Sequence, residues 1–119
     1  MAQKFFKLTA IYRQADDLEK VDGFFSTVHL QLAEKLPGLL KSEITRIHGK
    51  PGSQQSRFYL MYELYFASEE AYLEAFATET GLAFVQALKP WIDARLLSWF
   101  YGEAFEETAE ERDSYRPDL

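Results

Sequence analysis

Residues 57–67 read RFYLMYELYFA. The run is dense in aromatic and long apolar side chains and holds no glycine or proline, which marks a strand. Side chains of a strand alternate between the two faces of its sheet. One set here is Phe58, Leu60, Tyr62, Leu64 and Phe66, and the other is Arg57, Tyr59, Met61, Glu63 and Tyr65. The second set is more polar than the first, yet it is not a solvated surface. A strand apolar on both sides needs cover on both sides. Any fold for this chain must supply two such layers.

The rest of the chain supplies one of them. FFKLTAIY, residues 5–12, reads as a strand, and Asp16 or Asp17 can cap the helix that follows. Over residues 17–36, Leu18, Val21, Phe25, Val28, Leu32 and Leu36 recur at intervals of three and four and form one apolar stripe. Gly23 interrupts that helix at a cost of about 1 kcal/mol relative to alanine, which points to something packed close to it. Pro37 and Gly38 stop it. Residues 39–48, LLKSEITRIH, form a second strand, joined to the third through the turn-forming GKPGSQQS as an antiparallel hairpin. Ser68 caps the helix EEAYLEAF. A helix over 81–92 puts Leu82, Val85, Leu88 and Trp91 or Ile92 on one face, with Pro90 kinking or ending it. ARLLSWFYG, residues 94–102, is the last strand.

The order β-α-β-β-α-β predicts an α+β, ferredoxin-like fold: a four-stranded antiparallel sheet with its helices on one face. Helices cover only one side of residues 57–67. The natural cover for the other is the sheet of a second copy, giving a dimeric α+β barrel and a homodimer. A hydrophobic share of 47% and an aromatic share of 16% in 119 residues supply apolar surface for both contacts. One domain, residues 1–105, is expected, followed by an acidic C-terminal tail, residues 106–119, read as a frayed helix or as irregular chain.

The charge is −6, and the segment from Glu103 onward, with seven acids and two arginines, carries −5 of it. The body is nearly neutral. Neither part has the basic surface that nucleic-acid binding requires. The chain has no cysteine, so it has no disulfide framework, thiolate nucleophile or thiolate metal site. No apolar run approaches the ~20 residues that span a bilayer, and MAQKFFKLTAIY does not read as a signal peptide. The expectation is a cytoplasmic protein with no membrane partner.

Two residues could carry chemistry. His29 lies about 60° from the centre of the apolar stripe, at the border between core and water. Two readings stand: a helix-edge histidine satisfied by a backbone group, or a pocket histidine acting as acid, base or hydrogen-bond donor. Glu63 sits within an apolar strand and is costly to bury unpaired. Its possible partners are Lys7, Arg46, Arg57 and Arg95, and it is either an interface ion pair or a polar anchor in an apolar pocket. Phe25, Tyr59, Met61, Tyr65 and Trp99, with Tyr62 and Tyr101, are either pocket lining or core. The facing of Trp99 is ambiguous by parity. His48 stands at a strand end beside a turn and is expected to be exposed. No phosphate loop, Rossmann glycine pattern, serine elbow or histidine pair at metal spacing is present, so no cofactor and no metal is expected.

Taken in order, the opening strand, F…VHLQLAEKLPGL and YELYFASEEAYLEAF resemble the EthD (ethyl tert-butyl ether degradation) family of small dimeric α+β-barrel proteins, over roughly residues 5–103. The resemblance implies that His29 corresponds to the family's helix histidine and faces a pocket. The family's H-x-P-L run is HLQL here, with Gln31 in place of proline. Proteins of this architecture include cofactor-independent monooxygenases, haem-degrading enzymes and polyketide cyclases, and EthD is associated with a cytochrome P450 system. The resemblance thus implies an enzyme or accessory, oxidoreductase-associated, that handles a small apolar organic molecule in catabolism or detoxification. The other reading is a non-catalytic dimeric module that binds a small molecule or stabilises a partner. Haem-binding relatives of this fold supply an axial histidine, but nothing else here selects iron.

Overall fold

The computed structural model describes residues 3–106. Its elements are β1 (Gln3–Arg13), α1 (Leu18–Phe24), α2 (Leu30–Glu34), β2 (Lys41–Arg46), β3 (Phe58–Phe66), α3 (Glu69–Phe76), α4 (Glu79–Asp93) and β4 (Leu97–Glu106). The four strands pair antiparallel in the order β2-β3-β1-β4. The ferredoxin-like architecture expected from the sequence is therefore present. Among the described residues no helix is long and apolar enough to cross a membrane.

The helices cover one sheet face. Leu8, Ala10 and Tyr12 of β1, Leu60, Tyr62, Leu64 and Phe66 of β3, and Leu97 of β4 form the sheet side of the core. Val21, Phe25, Ala33, Leu36, Phe84 and Leu88 meet them from the helices. Asp17 caps α1, Ser68 caps α3 and Thr78 caps α4, each accepting a backbone N–H of the first turn. Gly81 lets α3 and α4 meet closely, because a Cβ there would lie 2.4 Å from the Phe76 backbone.

Between α1 and α2 the helix widens into a π turn over Phe25–His29, closed by the Leu30 N–H donating to the Phe25 carbonyl five residues back. This changes the phase of the buried stripe. Val21, Phe25, His29 and Ala33, each four apart, are buried, while Val28 and Leu32 are only half-buried. The stripe predicted through Val28 and Leu32 assumed an unbroken α-helix, and the extra residue in the turn rotates His29 inward instead. Gly23 is not explained by close packing, since a Cβ there would meet nothing within 4 Å. Its carbonyl accepts the Thr27 hydroxyl at 2.6 Å. Pro90 does not end α4, which runs on to Asp93.

The last strand is longer than expected. Gln3 to Phe6 of β1 pair with Glu106 to Glu103, so the strand expected to end at Gly102 runs on to Glu106. Lys4 holds this end, 3.1 Å from the Glu103 carboxylate. The remainder of the expected tail lies outside the described residues.

α4 closes with a Schellman turn: Leu96 N–H donates to the Trp91 carbonyl and Arg95 N–H to that of Ile92. The turn forces Arg95 to a φ of 62°, a conformation in which glycine is usual and other residues lose about 1 kcal/mol.

The second sheet face has no helix on it among the described residues. At its centre the Lys7 ammonium donates to Glu63 Oε2 at 2.5 Å. Beside that pair the Tyr65 hydroxyl donates to Glu43, and Lys41 Nζ stands 4.5 Å from the centre of the Tyr65 ring. Phe5, Ile11 and Met61 are half-buried there, and Phe100, 55% exposed, is at the β4 edge. The face is thus an apolar surface with a polar centre.

Candidate functional site

His29 enters the core from the π turn and is fully buried. Its Nδ1 lies 2.7 Å from the Tyr12 hydroxyl on β1. Phe25, Tyr62 and Phe84 enclose the imidazole edge-on, with ring centres 5.5, 5.1 and 5.2 Å away. Burial pushes the His29 pKa down to about 3 and moves that of Tyr12 up, so both groups are neutral at ordinary pH.

Hydrogen-bond counting assigns the tautomer. If Tyr12 O–H donates to Nδ1, the proton sits on Nε2 and only that one donor lacks a partner. In the reverse arrangement the Tyr12 proton and the Nε2 lone pair are both orphaned, and buried unpaired groups are costly. His29 therefore carries an Nε2–H with no partner among the described residues. The Tyr62 hydroxyl is also buried without a hydrogen-bond partner of normal geometry among the described residues, with Ser42 near it.

On the same side of the sheet, between β4 and the helices, lies a cleft of about 490 Å³. Leu8, Trp99 and Tyr101 form its sheet wall, and Tyr72, Phe76 and Val85 form its helix wall. Strand pairing fixes the facing that parity left open: Trp99 stands opposite Ala10 and Tyr101 opposite Leu8, both on the helix side. A series of ring contacts leads inward from the cleft. Tyr101 meets Tyr72 at 5.2 Å, Tyr72 meets Phe76 at 4.8 Å, Phe76 meets Phe84 at 5.4 Å, and Phe84 meets His29. His29 is not in the cleft wall but lies behind Phe84.

The residues expected to form one pocket are divided by the sheet. Phe25 and His29 lie on the helix side with Trp99, while Glu63, Met61 and Tyr65 lie on the opposite face. Glu63 is buried against Lys7, one of its four expected partners, and does not approach His29. Tyr59 leaves the alternation altogether. Tyr12 pairs with Leu60 and Arg13 with Phe58, so Tyr59 is the extra residue of a bulge, and its hydroxyl donates to the Asp22 carboxylate of α1 at 2.8 Å. His48 is exposed, as expected. The sequence reading missed Tyr12, Tyr72, Phe76 and Phe84. The four-residue spacing of Val21, Phe25, His29 and Ala33 was the available signal for the inward face of His29, and Tyr12 shares the parity of Leu8 and Ala10. Among the described residues no cluster of three or more histidine, aspartate or glutamate side chains could hold a metal ion.

Solved structures place this architecture among known proteins. An EthD family protein from Bacillus halodurans is 34% identical, with a TM-score of 0.76, over 84% of this chain and 98% of that one. The chain belongs to the EthD family. Beyond the family, the fold extends to a cofactor-independent oxygenase from Streptomyces nogalater, 13% identical with a TM-score of 0.59 over 91% of this chain and 97% of that one. It extends also to a dimeric ferredoxin-like protein of unknown function from a Jannaschia species, 16% identical with a TM-score of 0.57 over 85% of this chain and 99% of that one. No family model and no curated protein matches the chain. For this EthD family member, the His29–Tyr12 pair and the apolar cleft beside it are the features with chemical potential.

Proposed function

We propose that this EthD family protein is a homodimer in which each protomer binds a small apolar organic molecule in the cleft between β4 and the helices, serving as enzyme or accessory in breaking down or detoxifying that molecule. One observation carries the reading: a cleft of about 490 Å³ with apolar and aromatic walls, backed by a buried neutral histidine whose Nε2–H has no partner among the described residues. That combination of apolar walls and few polar groups suits a small organic ligand. His29 is the donor that an oxygen of the bound molecule reaches once Phe76, in the cleft wall, and Phe84 behind it both turn aside. A neutral imidazole held by Tyr12 orients and polarises such a group, and it can relay a proton if the reaction needs one.

The dimer reading rests on the sheet face that no helix covers among the described residues, on Phe100 at its edge, and on the dimeric Jannaschia protein of like fold. Glu63 and Lys7 then lie inside the contact between copies, as a buried pair and not as part of the ligand cleft.

Native mass spectrometry of the protein as purified tests both parts. The expected spectrum is a dimer that carries a small apolar adduct or takes one up when neutral aromatic compounds are added. A monomer with no uptake would contradict the reading.

A further inference from the structure

A second cleft, of about 420 Å³, opens where β1, β4 and the end of α4 meet. Arg13 and Arg95 stand in its wall with Phe58, Ile92, Ser98 and Trp99. Neither guanidinium has an ion-pair or hydrogen-bond partner among the described residues. The acid nearest to Arg95 in sequence, Asp93, is held by Lys89 at 3.3 Å. Arg95 also occupies the left-handed position of the Schellman turn, where glycine would be unstrained. A strained residue whose side chain has no partner among the described residues, set in a cleft beside a second arginine that also has none there, points to use by a ligand.

We propose that this cleft binds a small aromatic carboxylate. Arg13 and Arg95 supply paired N–H donors that match the two oxygens of a carboxylate. Trp99, Phe58 and Ile92 offer flat and apolar surface for the ring. Lysine would give a point charge, whereas two guanidinium groups beside an indole suit a planar acid. Trp99 stands in the wall of both clefts, yet the two sites ask for different chemistry: this one needs an anion, and the apolar cleft does not.

Calorimetric titration of the full chain with benzoate, and in parallel with neutral benzamide, tests the proposal. Benzoate is expected to bind saturably and benzamide at least about tenfold more weakly, because only benzoate forms charge-assisted bonds. Arg95→Gly removes the guanidinium while relieving the strained backbone, so it is expected to raise the melting temperature and weaken benzoate binding about tenfold or more. Arg13→Gln is expected to weaken it similarly. Val85→Trp, which fills the apolar cleft, is expected to leave benzoate binding unchanged, and loss of binding in that variant would move the site to the apolar cleft and overturn the proposal. Equal binding of benzoate and benzamide, unaltered binding in Arg95→Gly, or no benzoate binding to the wild-type protein would overturn it too.

Discussion

The Tyr12 hydroxyl and His29 Nδ1, 17 residues apart in sequence, meet at 2.7 Å in the core between β1 and the π turn. The contact satisfies one imidazole nitrogen and leaves the other without a partner among the described residues, and it ties the helix that carries His29 to a central strand.

Removing the Tyr12 hydroxyl is expected to orphan Nδ1. Tyr12→Phe should lower stability by about 1–3 kcal/mol, the cost of leaving a buried polar group unpaired. His29→Leu removes both nitrogens, so the double variant should be less destabilised than the sum of the two single ones. Urea unfolding of the four proteins measures this, and strict additivity would show that the two side chains are not coupled.

The buried imidazole also predicts a pH dependence. Its pKa is held down at about 3, against 6.5 for an unperturbed histidine. Between those values the unfolded chain binds a proton that the folded chain does not. The contribution is therefore whole above pH 6.5 and is lost as the pH falls toward 3. In that window the slope approaches about 1.4 kcal/mol per pH unit. Comparing unfolding free energies at about pH 7 and about pH 5 should show the drop in the wild-type protein and a smaller one in His29→Leu. Equal drops would place the His29 proton affinity near that of the unfolded chain.

Glu63 is expected to matter to the sheet and not to the cleft. Glu63→Gln loses a charge-assisted bond to Lys7 and should cost about 1–3 kcal/mol. Ligand uptake by the apolar cleft should persist in that variant, because the sheet separates the two. Thermal unfolding and probe binding measured on the same sample would decide it, and loss of uptake in a folded Glu63→Gln protein would put Glu63 back in the site.

The free sheet face predicts self-association. At low micromolar concentration the wild-type chain should sediment as a dimer. Phe100→Asp places a charge in the apolar edge of the contact and should shift the population toward monomer, while the single chain keeps its fold because Phe100 is 55% exposed there. A wild-type protein of monomer mass would remove the barrel.

The order of elements was legible because strong local signals mark it. Asp17, Ser68, Pro37 and the GKPGSQQS loop punctuate the chain, and residues 57–67 cannot be mistaken for a helix. The site was less legible because it depends on departures from regular geometry. The π turn over Phe25–His29 moves His29 from the helix border into the core, and no 3.6-residue wheel shows that. The bulge at Tyr59 breaks the alternation that grouped it with Met61 and Tyr65. The last strand was read as ending at Gly102, although Glu103 and Phe105 pair with Phe6 and Lys4 and continue it. The separation of Glu63 from His29 is a matter of which side of a sheet each occupies, and that required the helix phase to be right.

The most direct test of the account is fluorescence titration of the wild-type protein and Val85→Trp with the neutral probe N-phenylnaphthylamine. Trp99 in the cleft wall serves as an internal reporter. Saturable binding with one site per protomer and partial quenching of the tryptophan emission, from Trp99 but not Trp91, are expected in the wild-type protein, with loss of saturable binding in Val85→Trp, whose indole fills the cleft. Absence of saturable binding, or equal binding by the two proteins, would contradict it.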